Sequence, residues 1–382
     1  MVEFCQQDYC FPLFAGRLYS LHRSRVQRNQ RRSTKIYDFT ADYDNTMKSV
    51  TIVICNYNYD RFLANAIDSA LAQDYPSTTV LVVDDGSTDN SRKLIEAYGS
   101  VIATVFKDNG GQISAYNRAI KELDSDYAIL LDADDILYPS AVSEVVQQFE
   151  AGDFAKVQFR IDVISSNGKR TGACIPHSDA PTDCRPLLLN GWLYPSPPGS
   201  GNAYRVSALR QIFPICETSE VRYGADFYAI YGVALLGPIA SIPHSLGGYR
   251  VHHSEALDVA FSNSEDMRKM PKALSIRWNI LQQTARSRLG VELPAQFHDF
   301  SYEKALFCAQ ISGAPLVRRW RWAALESRNY VHSIVANPFW TLKKKIGTIV
   351  LSCLCLVPYP PLANYAVRYI SNPLARHSRV AR

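Results

Sequence analysis

The stretch Val50-Thr51-Ile52-Val53-Ile54-Cys55-Asn56-Tyr57-Asn58 begins the part of this 382-residue chain that decides its fold. Residues Val50–Cys55 form a continuous β-branched and apolar run, which predicts a strand buried on both faces, as in a parallel sheet. The run stops at the polar residues Asn56, Tyr57 and Asn58. Open parallel sheets bind ligands beyond the carboxyl ends of their strands, so these residues are the first candidates for a site.

The same rhythm repeats downstream. Three further apolar runs predict three further strands: Thr79–Val83, Val101–Phe106 and Tyr127–Leu131. The stretches between the strands have helical periodicity: Arg61–Gln73, a stretch that begins near Asn90, and Gln112–Leu123. Buried strands that alternate with helical crossovers predict a doubly wound α/β sheet.

Each predicted strand ends in a polar cluster. The clusters are Asn56-Tyr57-Asn58, Asp84-Asp85-Gly86-Ser87, Asn109-Gly110-Gly111 and Asp132-Ala133-Asp134-Asp135. Carboxylates as close as those of the last cluster repel each other unless a cation is present. Mg²⁺ or Mn²⁺ would bind one or two of them together with substrate phosphates. Taken singly, each acidic cluster is equally explained as a turn that caps the following helix, but four such clusters at one sheet edge favour a ligand site.

The rhythm changes after Pro139. Ala155–Ile164 and Lys169–Ile175 flank an Asn-Gly turn signal and are predicted to form a hairpin. Tyr194–Asn202 is rich in Pro, Gly and Ser, which predicts a loop, and the chain from Leu274 onward is predicted to be mostly helical.

Composition and charge indicate the class of protein. A content of 47% hydrophobic and 20% charged residues is typical of a globular protein and excludes a disordered or fibrous chain. Thr341–Arg382 contains seven basic residues and no acidic residue, which favours contact with an anionic surface, although a merely solvated tail has the same composition. Its apolar run Ile346–Val357 is only 12 residues long, too short to span a bilayer.

The cysteines and the N-terminal segment add two expectations. The nine cysteines are scattered without zinc-site spacing, so we expect free thiols in a reducing compartment. Residues 1–47 carry scattered arginines and no long apolar run, and are expected to be a disordered N-terminal extension without a secretory signal. Met47 is a candidate native start.

In this order the four clusters resemble the inverting family 2 glycosyltransferases of the GT-A fold. The resemblance continues through Gly201–Arg205, Gly224–Asp226 and Tyr249–His252, and it covers roughly Val50–Ala256. It implies a GT-A domain at residues 48–256, with a Rossmann-like, doubly wound mixed sheet. A helical extension at 257–340 and a basic, apolar tail at 341–382 would follow.

The resemblance also implies the site residues. Those that would bind a nucleotide sugar are Asn56, Tyr57, Asn58, Asp84, Asp85, Asn117, Arg118 and Asp132. Asp85 would contact the base and Asp132 the ribose or sugar. Asp134, with Asp135 and His252 beside it, would hold Mn²⁺ or Mg²⁺ on the diphosphate.

Inversion needs a general base on the face of the sugar opposite the leaving group. In the family this base is the Asp of a Glu-Asp pair at a helix start, which corresponds to Asp226. Ala225 stands where the family has Glu, and this departure puts the role of that Glu in doubt. A plain helix cap is the alternative for Asp226.

The expected function is therefore transfer of a hexose or N-acetylhexosamine from a nucleotide sugar, with UDP the first choice, to a glycan or lipid-linked acceptor. Surface polysaccharide synthesis would be the setting. We expect a cytoplasmic protein without a nucleic-acid partner, whose tail rests on the cytoplasmic face of the membrane. Two alternatives stay open: a GT-A binding module that has lost catalysis, and a nucleotidyltransferase. The Ala225 departure favours the first, whereas the second would need a basic Gly-rich loop after the first strand.

Overall fold

One mixed sheet of nine strands organises the residues that the computed structural model describes, which are 47–217, 222–252, 270–311 and 313–371. The strands are β1 (Val50–Asn56), β2 (Thr78–Asp84), β3 (Ala103–Phe106), β4 (Tyr127–Asp132), β5 (Ile136–Leu137), β6 (Lys156–Ile164), β7 (Arg170–Ile175), β8 (Asn202–Arg205) and β9 (Ile239–Arg250). Their order is β3-β2-β1-β4-β8-β6-β9-β5, and β7 pairs with β6.

Helices cover both faces of the sheet and continue beyond it. They are α1 (Asp60–Leu71), α2 (Ser91–Ala97), α3 (Gln112–Glu122), α4 (Ala141–Glu150), α5 (Arg185–Leu189), α6 (Val206–Ile212), α7 (Ala225–Phe227), α8 (Met270–Thr284), α9 (Phe300–Ile311), α10 (Leu316–Leu325), α11 (Arg328–Val335), α12 (Leu342–Leu354) and α13 (Pro360–Ser371). Short 3₁₀ turns lie at Gly99–Val101 and Gly199–Gly201, and π-helical turns extend α7 over Tyr228–Gly232 and α8 over Ala285–Leu289.

The parallel half of the sheet sets the edge on which the polar clusters meet. Strands β3, β2, β1 and β4 are parallel neighbours, with Asn56 opposite Asp84 and Cys55 opposite Asp132. Because β1, β2 and β4 end side by side, their polar clusters lie at one edge. The predicted doubly wound α/β arrangement, with a mixed sheet and a helical C-terminal extension, is confirmed.

The third predicted strand is shorter and more exposed than its sequence indicates. The run Val101–Phe106 was expected to be buried on both faces, but Gly99–Val101 forms a 3₁₀ turn and β3 begins only at Ala103. None of the four β3 residues is fully buried, because β3 is the edge strand of the sheet. A run of apolar residues therefore does not distinguish this edge strand from a central strand.

Two apolar layers hold helices against the sheet. Ile52 and Ile54 of β1 face the layer that contains α1 and α4, whereas Val53 faces the layer that contains α3, α6 and α8. The C-terminal helices have a separate core, in which the rings of Phe307 and Tyr330 stack with centroids 4.5 Å apart.

The hairpin and loop predictions after Pro139 are confirmed, since β6 and β7 pair antiparallel and Tyr194–Asn202 is irregular apart from its 3₁₀ turn. No helix in the described ranges is long and apolar enough to cross a membrane. The seven cysteines in these ranges form no disulfide, and Cys5 and Cys10 lie outside them. The expected N-terminal extension and the expected domain boundary at residues 256–257 also lie outside the described residues.

Candidate active site

Asp84 joins the ends of β1 and β2. Its Oδ1 accepts hydrogen bonds from Asn56 Nδ2 at 2.8 Å and from Ser87 Oγ at 2.6 Å, and its Oδ2 accepts the Ser87 backbone N–H at 3.0 Å. Asp84 is 3% exposed. Its carboxylate is thus occupied by the turn that follows β2, and Asn56 is fixed by the same contacts.

Asn58 and Tyr57 form the outer wall of this edge. Asn58 has a φ of +58°, a conformation that Asn tolerates better than most residues. Its Oδ1 accepts the Thr88 backbone N–H at 2.7 Å, which ties the ends of β1 and β2 a second time. Tyr57 is 40% exposed, so its ring is accessible to a ligand.

Asp85 anchors the loop Asn109-Gly110-Gly111. The Asp85 carboxylate accepts the backbone N–H of Gly110 at 2.9 Å and of Gly111 at 2.6 Å, and Lys107 Nζ lies 2.5 Å from Oδ1. Charge-assisted hydrogen bonds of this kind are roughly twice as strong as neutral ones. Asp85 was predicted to contact the base of a nucleotide, whereas in the structure its oxygens hold the loop that starts α3.

The helix that follows this loop positions Asp226. Gln112, the first residue of α3, accepts the backbone N–H of Gly224 at 2.7 Å and of Ala225 at 3.2 Å through Oε1. These two N–H groups belong to the start of α7, where backbone donors have no partner within the helix. Gln112 therefore fixes the helix start that carries Asp226.

Asp226 and Asp132 meet around Gly199. A Cβ atom built on Gly199 would lie 3.2 Å from Asp226 Cβ, 3.5 Å from the Tyr116 hydroxyl oxygen and 3.7 Å from Asp132 Oδ2. The buried 3₁₀ turn Gly199–Gly201 thus lies between β4, α3 and α7. Two carboxylates predicted from separate motifs are brought together at one point.

Burial dominates the electrostatics of this pair. Burial raises the pKa of Asp132 well above its usual range, and the charges of Asp134 and Asp226 raise it further. Burial also raises the pKa of Asp226, while the guanidinium of Arg277 opposes that rise. A carboxylate whose pKa is raised towards working pH is better matched to accepting a proton in a reaction.

Asp134 faces His252 across the site. Asp134 Oδ2 lies 2.8 Å from His252 Nε2, and the Asp134 carbonyl oxygen accepts Arg250 Nε at 2.6 Å. Mg²⁺ and Mn²⁺ take one or two carboxylates and complete their shell with phosphate oxygens and water, and imidazole also suits a transition metal such as Mn²⁺. The Asp134 carboxylate therefore fits either ion, and the His252 nitrogen beside it suits Mn²⁺ better than Mg²⁺.

Asp135, which was predicted to lie beside Asp134 at the metal, forms hydrogen bonds inside the protein. It is fully buried, its Oδ2 accepts Ser200 Oγ at 2.6 Å, and its Oδ1 accepts the Arg250 backbone N–H at 2.8 Å. Within the described ranges, no group of three or more His, Cys, Asp or Glu side chains is arranged to hold a metal ion. The three-residue set Asp134, Asp135 and His252 is thus not assembled, because the Asp135 carboxylate is turned into the protein.

Asn117 and Arg118 make contacts other than those expected. Asn117 Nδ2 donates to the Ile215 carbonyl oxygen at 2.8 Å, and Asn117 Oδ1 accepts the Ile215 backbone N–H at 2.8 Å. Arg118 pairs with Glu122 one helical turn away. Both side chains line a groove beside Phe213, whereas Tyr116, which was not predicted, lies on the side of α3 that faces the carboxylates.

The sequence does not identify Gln112 and Arg277 as residues of the site. Gly199 and Ser200 lie in the loop Pro197–Asn202, which the family resemblance implies on the acceptor side, whereas Gln112 carried no signal beyond helix propensity. Arg277 lies on α8, outside every motif that was recognised. Contacts between elements so distant in sequence have no local pattern that would reveal them.

Comparisons with known proteins found related sequences and solved structures. The model of Glycosyl transferase family 2 matches residues 51–213. An uncharacterized glycosyltransferase of Nostoc sp. is 33% identical over 261 residues, which are 66% of this chain and 75% of that protein. An uncharacterized glycosyltransferase of Rickettsia typhi is 39% identical over 97 residues, 25% of this chain and 30% of that protein. The structure of S. aureus TarS 1-349 in complex with UDP-GlcNAc covers 87% of this chain and 93% of its own at 14% identity, with a TM-score of 0.47.

Proposed function

The chain belongs to glycosyl transferase family 2 and has its GT-A fold, and from that premise we propose that it is an inverting, nucleotide-sugar-dependent glycosyltransferase. The observation that carries the proposal is the meeting of Asp226 and Asp132 around Gly199, at the carboxyl edge of the parallel strands. A half-buried acid at a helix start, facing the end of β4, lies where a base must act on an acceptor bound over the sheet edge.

In the proposed reaction, Asp226 removes the proton of an acceptor hydroxyl as the hydroxyl oxygen attacks the anomeric carbon of the donor sugar. The new carbon–oxygen bond forms as the bond from that carbon to the diphosphate breaks, so the configuration inverts. The proton ends on Asp226 and the electron pair leaves with the nucleoside diphosphate. Burial raises the pKa of Asp226, which supports its role as the base.

We assign donor binding to the neighbouring groups. Asp134 and His252 would hold Mn²⁺ or Mg²⁺, and when bound this ion neutralises the charge that develops on the leaving diphosphate. Asp132 would accept hydrogen bonds from the ribose or the sugar. The exposed ring of Tyr57 offers a face on which a base would stack, and the backbone of the loop held by Asp85 would border the base.

Contact with a membrane is the second part of the proposal, and it concerns α12. No residue of this helix is buried, although it carries Leu342, Ile346 and Val350 at spacings of four residues, exposed by 71%, 55% and 54%. Among the described residues, eleven of the seventeen exposed large hydrophobic side chains lie between positions 317 and 365. Such a concentration marks an interaction surface.

The charge of this region selects the kind of surface. Lys343, Lys344 and Lys345 begin α12, and the chain has eight basic residues and no acidic residue from Ser327 to Arg382. Apolar side chains beside lysines fit the interface of an anionic bilayer. We therefore propose that α12 rests on the cytoplasmic face of a membrane, where a lipid-linked acceptor would be within reach.

A donor panel tests the catalytic proposal. Purified chain would be incubated with UDP-, GDP- and other nucleotide sugars in Mn²⁺ or Mg²⁺, with nucleoside diphosphate release as the readout. We expect one donor to be consumed with metal, and the release to be lost in Asp226→Asn and Asp134→Ala but kept in Asp74→Asn, an exposed carboxylate control. Undiminished release by Asp226→Asn would rule out its role as the base.

One residue favours a second function, that of a GT-A module which binds a nucleotide sugar without turning it over. Ala225 is fully buried where the family has Glu, so no second carboxylate lies beside Asp226 at the start of α7. Metal-dependent binding of one donor, measured by calorimetry, without turnover in any acceptor mixture would identify this alternative.

A further inference from the structure

Arg277 contacts the turn that carries Asp226. Its guanidinium lies against Gly224, two residues before Asp226, and a Cβ atom built on Gly224 would overlap that group, at only 2.6 Å from Nη2. Gly224 also has a φ of +82°, a left-handed conformation that favours glycine. Both the space and the backbone at position 224 are therefore adapted to a glycine packed under Arg277.

The groups around Asp226 come from five elements. They are Arg277 of α8, Asp132 of β4, Tyr116 of α3, Tyr204 of β8, and Tyr228 and Tyr231 of the π turn after α7. In this set Arg277 is the one cation. Burial raises the pKa of the Asp226 carboxyl, and the Arg277 charge lowers it. The backbone N–H groups of Phe227 and Asp226 lower it as well, so Arg277 supplies the charged part of this effect.

The residue beside Asp226 gives this contact its significance. Ala225 is fully buried and brings neither a charge nor a hydrogen-bonding side chain to the helix start. Beyond the backbone N–H groups of Asp226 and Phe227, a charge that acts on the Asp226 carboxylate must therefore come from elsewhere in the chain. Gln112 accepts hydrogen bonds from the backbone N–H groups of Gly224 and Ala225. The Arg277 guanidinium packs against Gly224 in the same turn.

We propose that Arg277 is a positioning residue for Asp226: its guanidinium packs against Gly224 and holds the Gly224–Asp226 turn in place. Arg277 lies on α8, beyond the residues 51–213 that the family model matches. In this proposal α8, which follows the matched region, contributes a residue that positions the general base. This inference rests on the proposed function, in which Asp226 is the general base.

The test is the pH dependence of kcat/KM in the full-length chain. Arg277→Met is expected to move the acid limb of the profile to higher pH by about one unit, because removal of a neighbouring cation raises the pKa of a carboxylate. Arg277→Lys keeps the charge, so it is expected to restore most of the wild-type position. Donor affinity, measured by calorimetry with the nucleoside diphosphate and Mn²⁺, is expected to change less than about 2-fold in either variant, since neither alters the donor pocket.

Arg286→Met is the matched control. Arg286 lies in the π turn after α8 and pairs with Glu292 at 3.0 Å on the surface, so its removal should leave the acid limb in place. Arg277→Lys keeps the test interpretable even where Arg277→Met does not fold.

Three outcomes would overturn the inference. An unmoved acid limb with a lower melting temperature would make Arg277 a purely structural residue. An unmoved limb with donor affinity weakened by about 10-fold or more would make it a ligand of the diphosphate. If the wild-type chain consumes no donor, the proposed function fails and this inference fails with it. If the wild-type chain is active but the acid limb is unmoved in Arg277→Met, only the role of Arg277 is refuted.

Discussion

Asp134 Oδ2 and His252 Nε2 lie 2.8 Å apart, although 118 residues separate them in the chain. Asp134 follows β4, and His252 follows β9. The pairing of β5 with β9, in which Ile136 lies opposite Gly248, brings these two strand ends together. Arg250 fixes the approach, because its Nε donates to the Asp134 carbonyl oxygen at 2.6 Å. The relation is therefore built into the sheet and is not a chance contact of a surface histidine.

The first prediction concerns metal binding by this pair. Asp134→Ala should weaken Mn²⁺-dependent binding of a nucleoside diphosphate by about 10-fold or more, because it removes the carboxylate that the ion would take. His252→Asn should have a smaller effect, since an amide oxygen can still face the ion. Calorimetric titration with and without Mn²⁺ measures both. Equal metal dependence in Asp134→Ala and wild type would show that the ion is held elsewhere.

The second prediction separates Asp135 from Asp134. Asp135→Asn places an amide where Ser200 Oγ and the Arg250 backbone N–H both donate, so one donor would meet an N–H group. A buried donor left without a partner costs about 1–3 kcal/mol, and we expect the free energy of unfolding to fall by an amount of that order. Denaturant unfolding measures it, with the exposed Asp74→Asn as control. A variant as stable as wild type that has lost metal binding would instead return Asp135 to the metal site.

Much of the fold could be predicted from the sequence because its signals are local. Continuous apolar runs that end in polar residues indicated β1, β2 and β4, and the rule that parallel strands bind ligands at their carboxyl ends brought Asn56, Asp84 and Asp132 to one edge. The length and burial of the edge strand β3 were overestimated, because an apolar run does not show whether a strand has a neighbour on both sides.

The site could be predicted only in part, because a motif does not show which way a carboxylate points. Asp85 and Asp135 stand in the expected clusters, and their oxygens accept hydrogen bonds from the Gly111 backbone N–H and from Ser200 Oγ, which no motif indicates. The Ser200 contact crosses 65 residues, so no local pattern contains it. Arg277 is still harder to find, because it acts on Asp226 from a separate helix.

The third prediction concerns space between the two central carboxylates. Gly199→Ala would place a methyl group 3.2 Å from Asp226 Cβ and 3.7 Å from Asp132 Oδ2. We expect kcat/KM to fall by about 10-fold or more, because small displacements of catalytic groups are costly in rate. Thermal stability should change little. Gly347→Ala on α12, where a Cβ meets nothing within 4 Å, is the control. Full activity in Gly199→Ala would show that the two carboxylates do not act at a shared point.

The fourth prediction concerns Glu303 on α9, which is 9% exposed. Burial, with the charge of Asp299, raises its pKa from 4.5 to about 7. Between about pH 4.5 and about pH 7 the folded chain keeps this proton, whereas the unfolded chain has lost it. The free energy of unfolding therefore falls as pH rises through this range. Glu303→Gln should raise the melting temperature more at pH 8 than at pH 5. Glu292→Gln, an exposed control, should show no such difference. A gain for Glu303→Gln that is equal at both pH values would contradict the shift.

The fifth prediction tests α12 as a membrane contact by vesicle flotation. Wild-type chain should float with vesicles of phosphatidylglycerol and phosphatidylcholine, and less with phosphatidylcholine alone. The double variant Ile346→Glu, Val350→Glu should lose most of this binding, because each buried aliphatic side chain contributes about 1.5–3 kcal/mol and the new charges meet an anionic surface. Val101→Glu, a 46% exposed valine outside the C-terminal helices, is the matched control and should float as wild type does. High salt should weaken the electrostatic part of the binding in wild type. If the double variant floats as well as wild type, the apolar face of α12 does not contact the membrane. If a chain that ends near Asn337 also floats, the membrane contact lies outside the C-terminal tail.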